Sequence, residues 1–207
     1  MPVMTPKLHR RFVKLSGEFS PQLQQHIKRV GPIALDSRKH LGIAQFLARV
    51  IIGQQVSTKA AATIWGRVKD AARESDQKIP GFFCEANVNT LRACGVSGNK
   101  TKALLAINEA CVDRRLSPAR LRRLDAEARA ATLIDIRGVG QWTVDMALMF
   151  YFGETDIWPE GDLSVSRTFS DFLSKKDARR RKKILAEFSP HRSYLAVYMW
   201  RVLDNPP

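Results

Sequence analysis

Ile136-Arg137-Gly138-Val139-Gly140-Gln141-Trp142-Thr143 sits between two apolar segments with helical spacing, Leu121–Arg137 before it and Trp142–Phe152 after it. Glycines at 138 and 140 permit backbone conformations and a closeness of approach that side chains forbid. At the head of a helix such a Gly-x-Gly lets several N–H groups converge on one anion, and a DNA phosphate suits that geometry. A plain tight turn between helices would use the same two glycines, so the hairpin alone does not separate the two uses.

Downstream, Trp142–Phe152 is apolar around most of its circumference, the pattern of a helix buried between others. The chain then breaks at Trp158-Pro159-Glu160-Gly161-Asp162. Asp162 stands at a loop-to-helix junction, where its carboxylate can cap a helix beginning near Leu163. Capping alone accounts for an aspartate so placed, and catalysis is the second use. Farther on, 171–188 is strongly basic, and Arg192–Leu203 is again apolar at helical steps.

Upstream, Phe46, Leu47, Val50, Ile51, Ala60, Ile64 and Val68 fall at three- and four-residue steps, interrupted at Gly53–Ser57. The spacing predicts two helices around a tight turn, the second running through Lys59–Ala71 with Ser57 or Thr58 as its cap. Asn87–Gly98 reads as a short helix ended by Gly95, with a turn through Ser97, Gly98 and Asn99. Helix resumes at Lys102–Val112, and Ser117-Pro118 is a cap followed by a first-turn proline. Phe19-Ser20-Pro21 marks another start. No alternating strand pattern emerges, so the fold class is all-α.

The chain has 207 residues, enough for one sizeable core or two modest lobes. Its formal net charge of +14 exceeds what solubility requires and suits a polyanion. No apolar run approaches the roughly 20 residues of a membrane span, and the first residues lack a signal-peptide core, so the expectation is a cytoplasmic protein, nucleoid-associated if bacterial and nuclear if eukaryotic. The three cysteines are too widely spaced for a CxxC pair and read as reduced thiols.

Together, Gly138-Val139-Gly140-Gln141-Trp142-Thr143 and Pro159-Glu160-Gly161-Asp162 resemble the helix-hairpin-helix, Gly/Pro-rich loop and aspartate signature of the HhH-GPD DNA glycosylase superfamily. Ile51–Ala61, Gly95-Val96-Ser97 with Lys100, and Pro190-His191-Arg192-Ser193 leading to Tyr198-Met199-Trp200-Arg201 are similar to its 3-methyladenine DNA glycosylase II branch. The resemblance begins near residue ~40 and implies the short version of the fold, without the larger form's N-terminal β-rich domain. It implies one unit, 1–207, of two helical lobes flanking a DNA-binding and active-site cleft. One lobe spans about 45–155 with the hairpin at 133–145; the other joins 1–44 to 156–207.

The implied activity is extrusion of an alkylated purine, of the 3-methyladenine or 7-methylguanine type, from duplex DNA and hydrolysis of its glycosidic bond. Asp162 is the implied catalytic carboxylate, and Gln55 matches the residue that enters the duplex. Trp142 could stack on a cationic base, with Met146, Tyr198 and Trp200 as weaker candidates for the pocket wall. For Trp200, core packing is the competing role; for Gln55, a helix-capping amide. Phosphates would meet Gly138, Gly140, Thr143, Lys59, Lys100 and Arg192. The run from Lys175 to Lys183 reads as a solvated helix face.

Departures from the family pattern matter as well. Trp142 stands where strand-cutting relatives carry a lysine nucleophile, which implies a monofunctional enzyme. No cysteine follows Tyr194, so the iron–sulfur centre of endonuclease III-like relatives is not expected, nor any required cofactor. A monovalent Na⁺ or K⁺ on the carbonyls of Ile136 and Val139 is a further implication. The expected partner is duplex DNA carrying damaged bases, met by a monomer and not at a membrane. Two rivals stay open: a relative specialised for uracil, a deaminated base or a mismatch, and a non-catalytic helix-hairpin-helix DNA-binding module.

Overall fold

The structure is a computed structural model that describes residues 2–36, 38 and 40–204. Its helices are α1 (Pro6–Gly17), α2 (Pro21–Val30), α3 (Ile43–Gly53), α4 (Thr58–Glu74), α5 (Val88–Ala93), α6 (Gly98–Val112), α7 (Pro118–Arg123), α8 (Ala126–Ile134), α9 (Gln141–Ala147), α10 (Leu163–Asp171), α11 (Lys175–Ala178), α12 (Arg181–Glu187) and α13 (Arg192–Asp204). Among the described residues the only strand-like pairing is an isolated antiparallel bridge between Val3 and Ala34. The all-α fold class is therefore that of the molecule, and none of these helices is long and apolar enough to cross a membrane.

Helix starts follow local chemistry. Thr5 and Ser20 each precede a proline and accept the amide of Leu8 or Leu23 at 3.2 Å, pairing an N-cap with a first-turn proline that has no N–H to lose. Ser57 caps α4 through Ala60 N at 3.2 Å. One expectation needs correction. Ser97 is the N-cap of α6, so Gly98 and Asn99 form its first turn, not a loop before it. The segment 121–137 is largely helical, as expected, in two pieces: Asp125 accepts Ala128 N at 2.8 Å and starts α8 afresh after α7 has ended.

The chain packs as two compact units, Met1–Ser37 with Phe152–Pro207, and Arg38–Tyr151. The first is built on aromatic rings. Phe12 meets Phe188 edge-on at 5.0 Å, Phe19 lies 6.3 Å from both Phe188 and Phe169, and Phe169 meets Trp158 at 5.3 Å. Such edge-to-face pairs add to the burial of their apolar area. They tie α1 and the link that follows it to α10 and to the loop that leads into it.

In the second unit α3 contributes Phe46, Leu47, Ala48, Ile51 and Ile52 to a core completed by Leu104 and Ile107 of α6 and by Val144 and Ala147 of α9. After Ala147 the helical ladder widens into a π-helical turn, Leu148–Phe152. The segment 142–152 is thus one buried helical run with a change of winding, and its predicted burial holds for Thr143–Met149.

Candidate active site

The hairpin closes with Ile136 N donating to Leu133 O at 3.1 Å and Val139 N to Ile136 O at 2.9 Å. Gly138 lies at φ +83°, where L side chains are strained, and a Cβ there would sit 2.4 Å from Ala103 Cβ. Gly140 is different. It is the N-cap of α9 in extended conformation, φ −90°, and a Cβ on it would meet nothing within 4 Å. Only Gly138 is required by the chain's own geometry. Gly140 brings no side-chain cap to α9.

Trp142 and Met146 lie one turn apart on α9, the indole half-buried and the thioether at 6% exposure. Thr143 is fully buried, and its hydroxyl accepts the Gln54 amide at 2.9 Å. The Thr143 side chain therefore faces the protein, and a phosphate there can meet only its backbone. Asp145, also buried, accepts Gln141 Nε2 at 2.8 Å; burial raises its pKa, with the Gln141 bond opposing.

Gln55 occupies the turn between α3 and α4, exposed and at φ +55°. A non-glycine residue in that region is held by its surroundings rather than by its own preference. Gln54 supplies part of the holding through Thr143. Lys100 supplies more, donating to Ile52 O at 2.9 Å and Gln54 O at 2.6 Å. Lys100 is thus not a free cation awaiting a phosphate, as expected from its position in the motif; its ammonium caps the last carbonyls of α3. Burial pushes its pKa down. Lys59, exposed in the first turn of α4, remains accessible.

In the other unit, Asp162 is 8% exposed and is the N-cap of α10, Oδ1 accepting Val165 N at 2.9 Å. Its own N–H donates to Pro159 O at 2.9 Å. The loop carrying it is braced by Arg181, which donates to Glu160 Oε1 at 2.7 Å and to Ser166 Oγ at 3.4 Å. The same guanidinium lies 5.9 Å from the Trp158 ring and 5.8 Å from that of Phe169. One member of the basic run is therefore a brace, where the sequence offered only a solvated face.

Arg192 also departs from expectation. Its Nε donates to Asp156 Oδ1 at 2.7 Å and its Nη2 to Oδ2 at 2.9 Å, a bidentate pair that occupies the fork. Ser189 joins at 2.8 Å. Burial alone would raise the Asp156 pKa, but these bonds outweigh it and leave the carboxyl below its usual range. Tyr198 is a core residue, not a pocket wall: it has no exposed surface and donates its hydroxyl to Gly31 O at 2.8 Å. Burial pushes that phenol well above its usual pKa. Trp200, on the same helix, is half-buried.

The sequence profile described as "HhH-GPD superfamily base excision DNA repair protein" matches residues 48–191. The chain belongs to this superfamily. The match takes in the α3–α4 turn, the hairpin and Asp162 together. Among relatives in this superfamily, DNA-3-methyladenine glycosylase 1 of Schizosaccharomyces pombe is 28% identical over 198 residues, covering 93% of this chain and 80% of its own length. A solved DNA-3-methyladenine glycosidase from Bacillus halodurans superposes with a TM-score of 0.78 at 25% identity, over 99% of this chain and 94% of its own. The S. pombe 3-methyladenine DNA glycosylase in complex with abasic DNA gives 0.77 at 26% identity, over 95% and 98%.

Gln54 and Arg181 were not singled out in the sequence. Gln54 adjoins Gln55 in a Gln-Gln pair, and only the second was read as functional. Nothing in the basic run distinguishes Arg181 from its neighbours until Glu160 is seen beside it.

Proposed function

We propose that the protein is a monofunctional DNA glycosylase of base excision repair that extrudes alkylated purines from duplex DNA and hydrolyses their glycosidic bond. The observation that carries this reading is Asp162: a nearly buried carboxylate fixed at the N-terminus of α10 and reached through a braced loop.

Alkylation at purine position 3 or 7 makes the base cationic and hence a good leaving group. The enzyme then needs little acid help and chiefly needs negative charge near the developing oxocarbenium ion. Asp162 supplies that charge and can also orient or deprotonate the attacking water. Selectivity for a cationic base fits Trp142, since stacking on an indole favours a cation by on the order of 0.5–2 kcal/mol over a neutral base. Residues 136–143 contain no lysine, so no Schiff base forms there and the abasic strand is left unbroken.

On this reading Gln55 fills the gap left by the extruded nucleotide, while the start of α9 and Lys59 hold phosphates. Duplex affinity then falls with salt. The protein acts as a monomer, and neither an organic cofactor nor an iron–sulfur cluster enters the chemistry. The neutral, hard carbonyl oxygens of Ile136 and Val139 suit Na⁺ or K⁺, and Ile136 O, which accepts Val139 N at 2.9 Å, has a second lone pair for such an ion. A cation held there would add positive charge where a phosphate docks.

The test is release of free bases from methylated duplex by wild type and Asp162→Asn. Asparagine keeps the acceptor for Val165 N, so α10 stays capped and the comparison isolates chemistry from folding. Release of 3-methyladenine or 7-methylguanine by wild type alone, leaving abasic unbroken strands, is the expected result. Duplex binding without any release, or release of uncharged lesions only, would overturn it.

A further inference from the structure

The α3–α4 turn is held from two sides, and both ties converge on one residue, Gln54. The carbonyl of Gln54 accepts Lys100 Nζ at 2.6 Å, and the same ammonium reaches Ile52 O at 2.9 Å. The Gln54 side chain meanwhile donates to Thr143 Oγ1, in the first turn of α9, at 2.9 Å. The next residue is Gln55, at φ +55°. Fixing the Gln54 carbonyl fixes the plane of the peptide whose nitrogen belongs to Gln55, so Lys100 and Gln54 together set the direction in which Gln55 leaves the surface.

The final turn of a helix leaves carbonyls without intrahelical partners, and a lysine there is a common structural cap. Three features go beyond that role. The lysine is half-buried and comes from the first turn of α6, 46 residues away in the chain. It bonds the carbonyl that adjoins the left-handed residue. The other restraint on that turn comes from the hairpin helix itself, through Thr143.

We propose that Lys100 is a positioning residue for base extrusion: its ammonium locks the Gln54–Gln55 peptide so that Gln55 is already aimed when the duplex arrives, with Gln54 and Thr143 as the second tie. The proposal rests on Gln55 being the residue that enters the duplex. Pre-aiming matters because a wedge acts only when it is in place as the nucleotide leaves, and disorder in the free protein would be lost at the moment of insertion. A phosphate-binding lysine would instead raise affinity on any sequence and add to the salt dependence.

The experiment uses a duplex with 2-aminopurine beside a tetrahydrofuran abasic analogue, whose fluorescence rises when the wedge unstacks the site. It is read together with affinity at several salt concentrations and single-turnover release of 7-methylguanine. Lys100→Met is expected to lower the fluorescence rise per bound complex about threefold and the release rate about tenfold, with affinity for undamaged duplex and its salt slope unchanged. Lys100→Arg, which keeps charge and donors, retains most of the signal. Thr143→Val, which removes the second tie, lowers it as well and covers the case in which Lys100→Met fails to fold. A salt slope shallower by about one phosphate with a normal fluorescence rise would make Lys100 a phosphate ligand and overturn the proposal. So would a Lys100→Met protein that behaves as wild type. Gln55→Ala is the control for the wedge itself: if it leaves the fluorescence rise intact, the wedge reading fails and this proposal falls with it.

Discussion

Replacing Gly138 by alanine separates two effects that the hairpin combines. The residue lies at φ +83°, and its new Cβ would fall 2.4 Å from Ala103 Cβ and 3.2 Å from Ala103 Cα. Holding an L-residue in the left-handed region costs about 1–2 kcal/mol, and forcing a methyl into a filled contact about 1–3 kcal/mol. The sum is about 2–5 kcal/mol, or about 4–20 °C of Tm at roughly 2–4 °C per kcal/mol for a chain of this size. A double-mutant cycle with Ala103→Gly tests the division, because it removes the atom that is struck and leaves the strained φ alone. Urea unfolding followed by circular dichroism should show Gly138→Ala costing about 1–3 kcal/mol less in the Ala103→Gly background. Equal costs in both backgrounds would refute the argument that contact with α6 dictates this glycine.

Gly140→Ala should cost no more than about 1 kcal/mol, the preference of an N-cap for glycine over alanine, since its Cβ meets nothing and φ is −90°; any fall in duplex affinity beyond that reports close approach of a phosphate, and unchanged affinity would remove Gly140 from the interface. Arg181→Met should lower the base-release rate about tenfold by loosening the loop that bears Asp162, while Arg181→Lys restores part of it. Its salt slope on duplex DNA should stay that of wild type, because the guanidinium is committed to Glu160; a shallower slope would mark Arg181 as a DNA ligand. Stability should fall as pH drops below about 6.5. Burial first, then Arg29 and Arg201, hold the His26 pKa below its usual value, with its bond to Tyr198 O opposing. The unfolded chain therefore binds the proton first. His26→Gln, which can still donate to Tyr198 O, should flatten that slope in thermal melts at pH 5 and pH 7, leaving the share of His191, likewise lowered by burial and Arg11. An unchanged slope would show that His26 does not carry it.

What was legible in the sequence was local. Ser20-Pro21, Ser57 and Asp162 announce helix starts because a cap acts within three residues, and each is found capping. The hairpin and the aspartate loop are short motifs of the same kind. What was not legible depends on partners far along the chain. Arg192 and Lys100 look like any exposed cation until Asp156, 36 residues away, and Gln54, 46 away, are seen to occupy them. Tyr198 and Trp200 share a helix and an aromatic character, and only tertiary packing shows that the first is sealed into the core by Gly31. Beyond the Ser20-Pro21 helix start, the N-terminal segment carried no functional signature, because it supplies Phe12, Leu23 and Ile27 to a core whose other half is formed after residue 152.

That interleaving orders events during synthesis. Residues 38–151 form a continuous unit and can pack as soon as they clear the ribosome, whereas α1 and α2 must wait through that whole stretch for α10–α13. Through the wait, which at about 5–20 residues per second lasts several seconds or more, the apolar faces of α1 and α2 have only one another. A nascent chain stalled before α13 thus holds α1 and α2 without the helices that complete their unit, and such unfinished apolar surface is what chaperones bind.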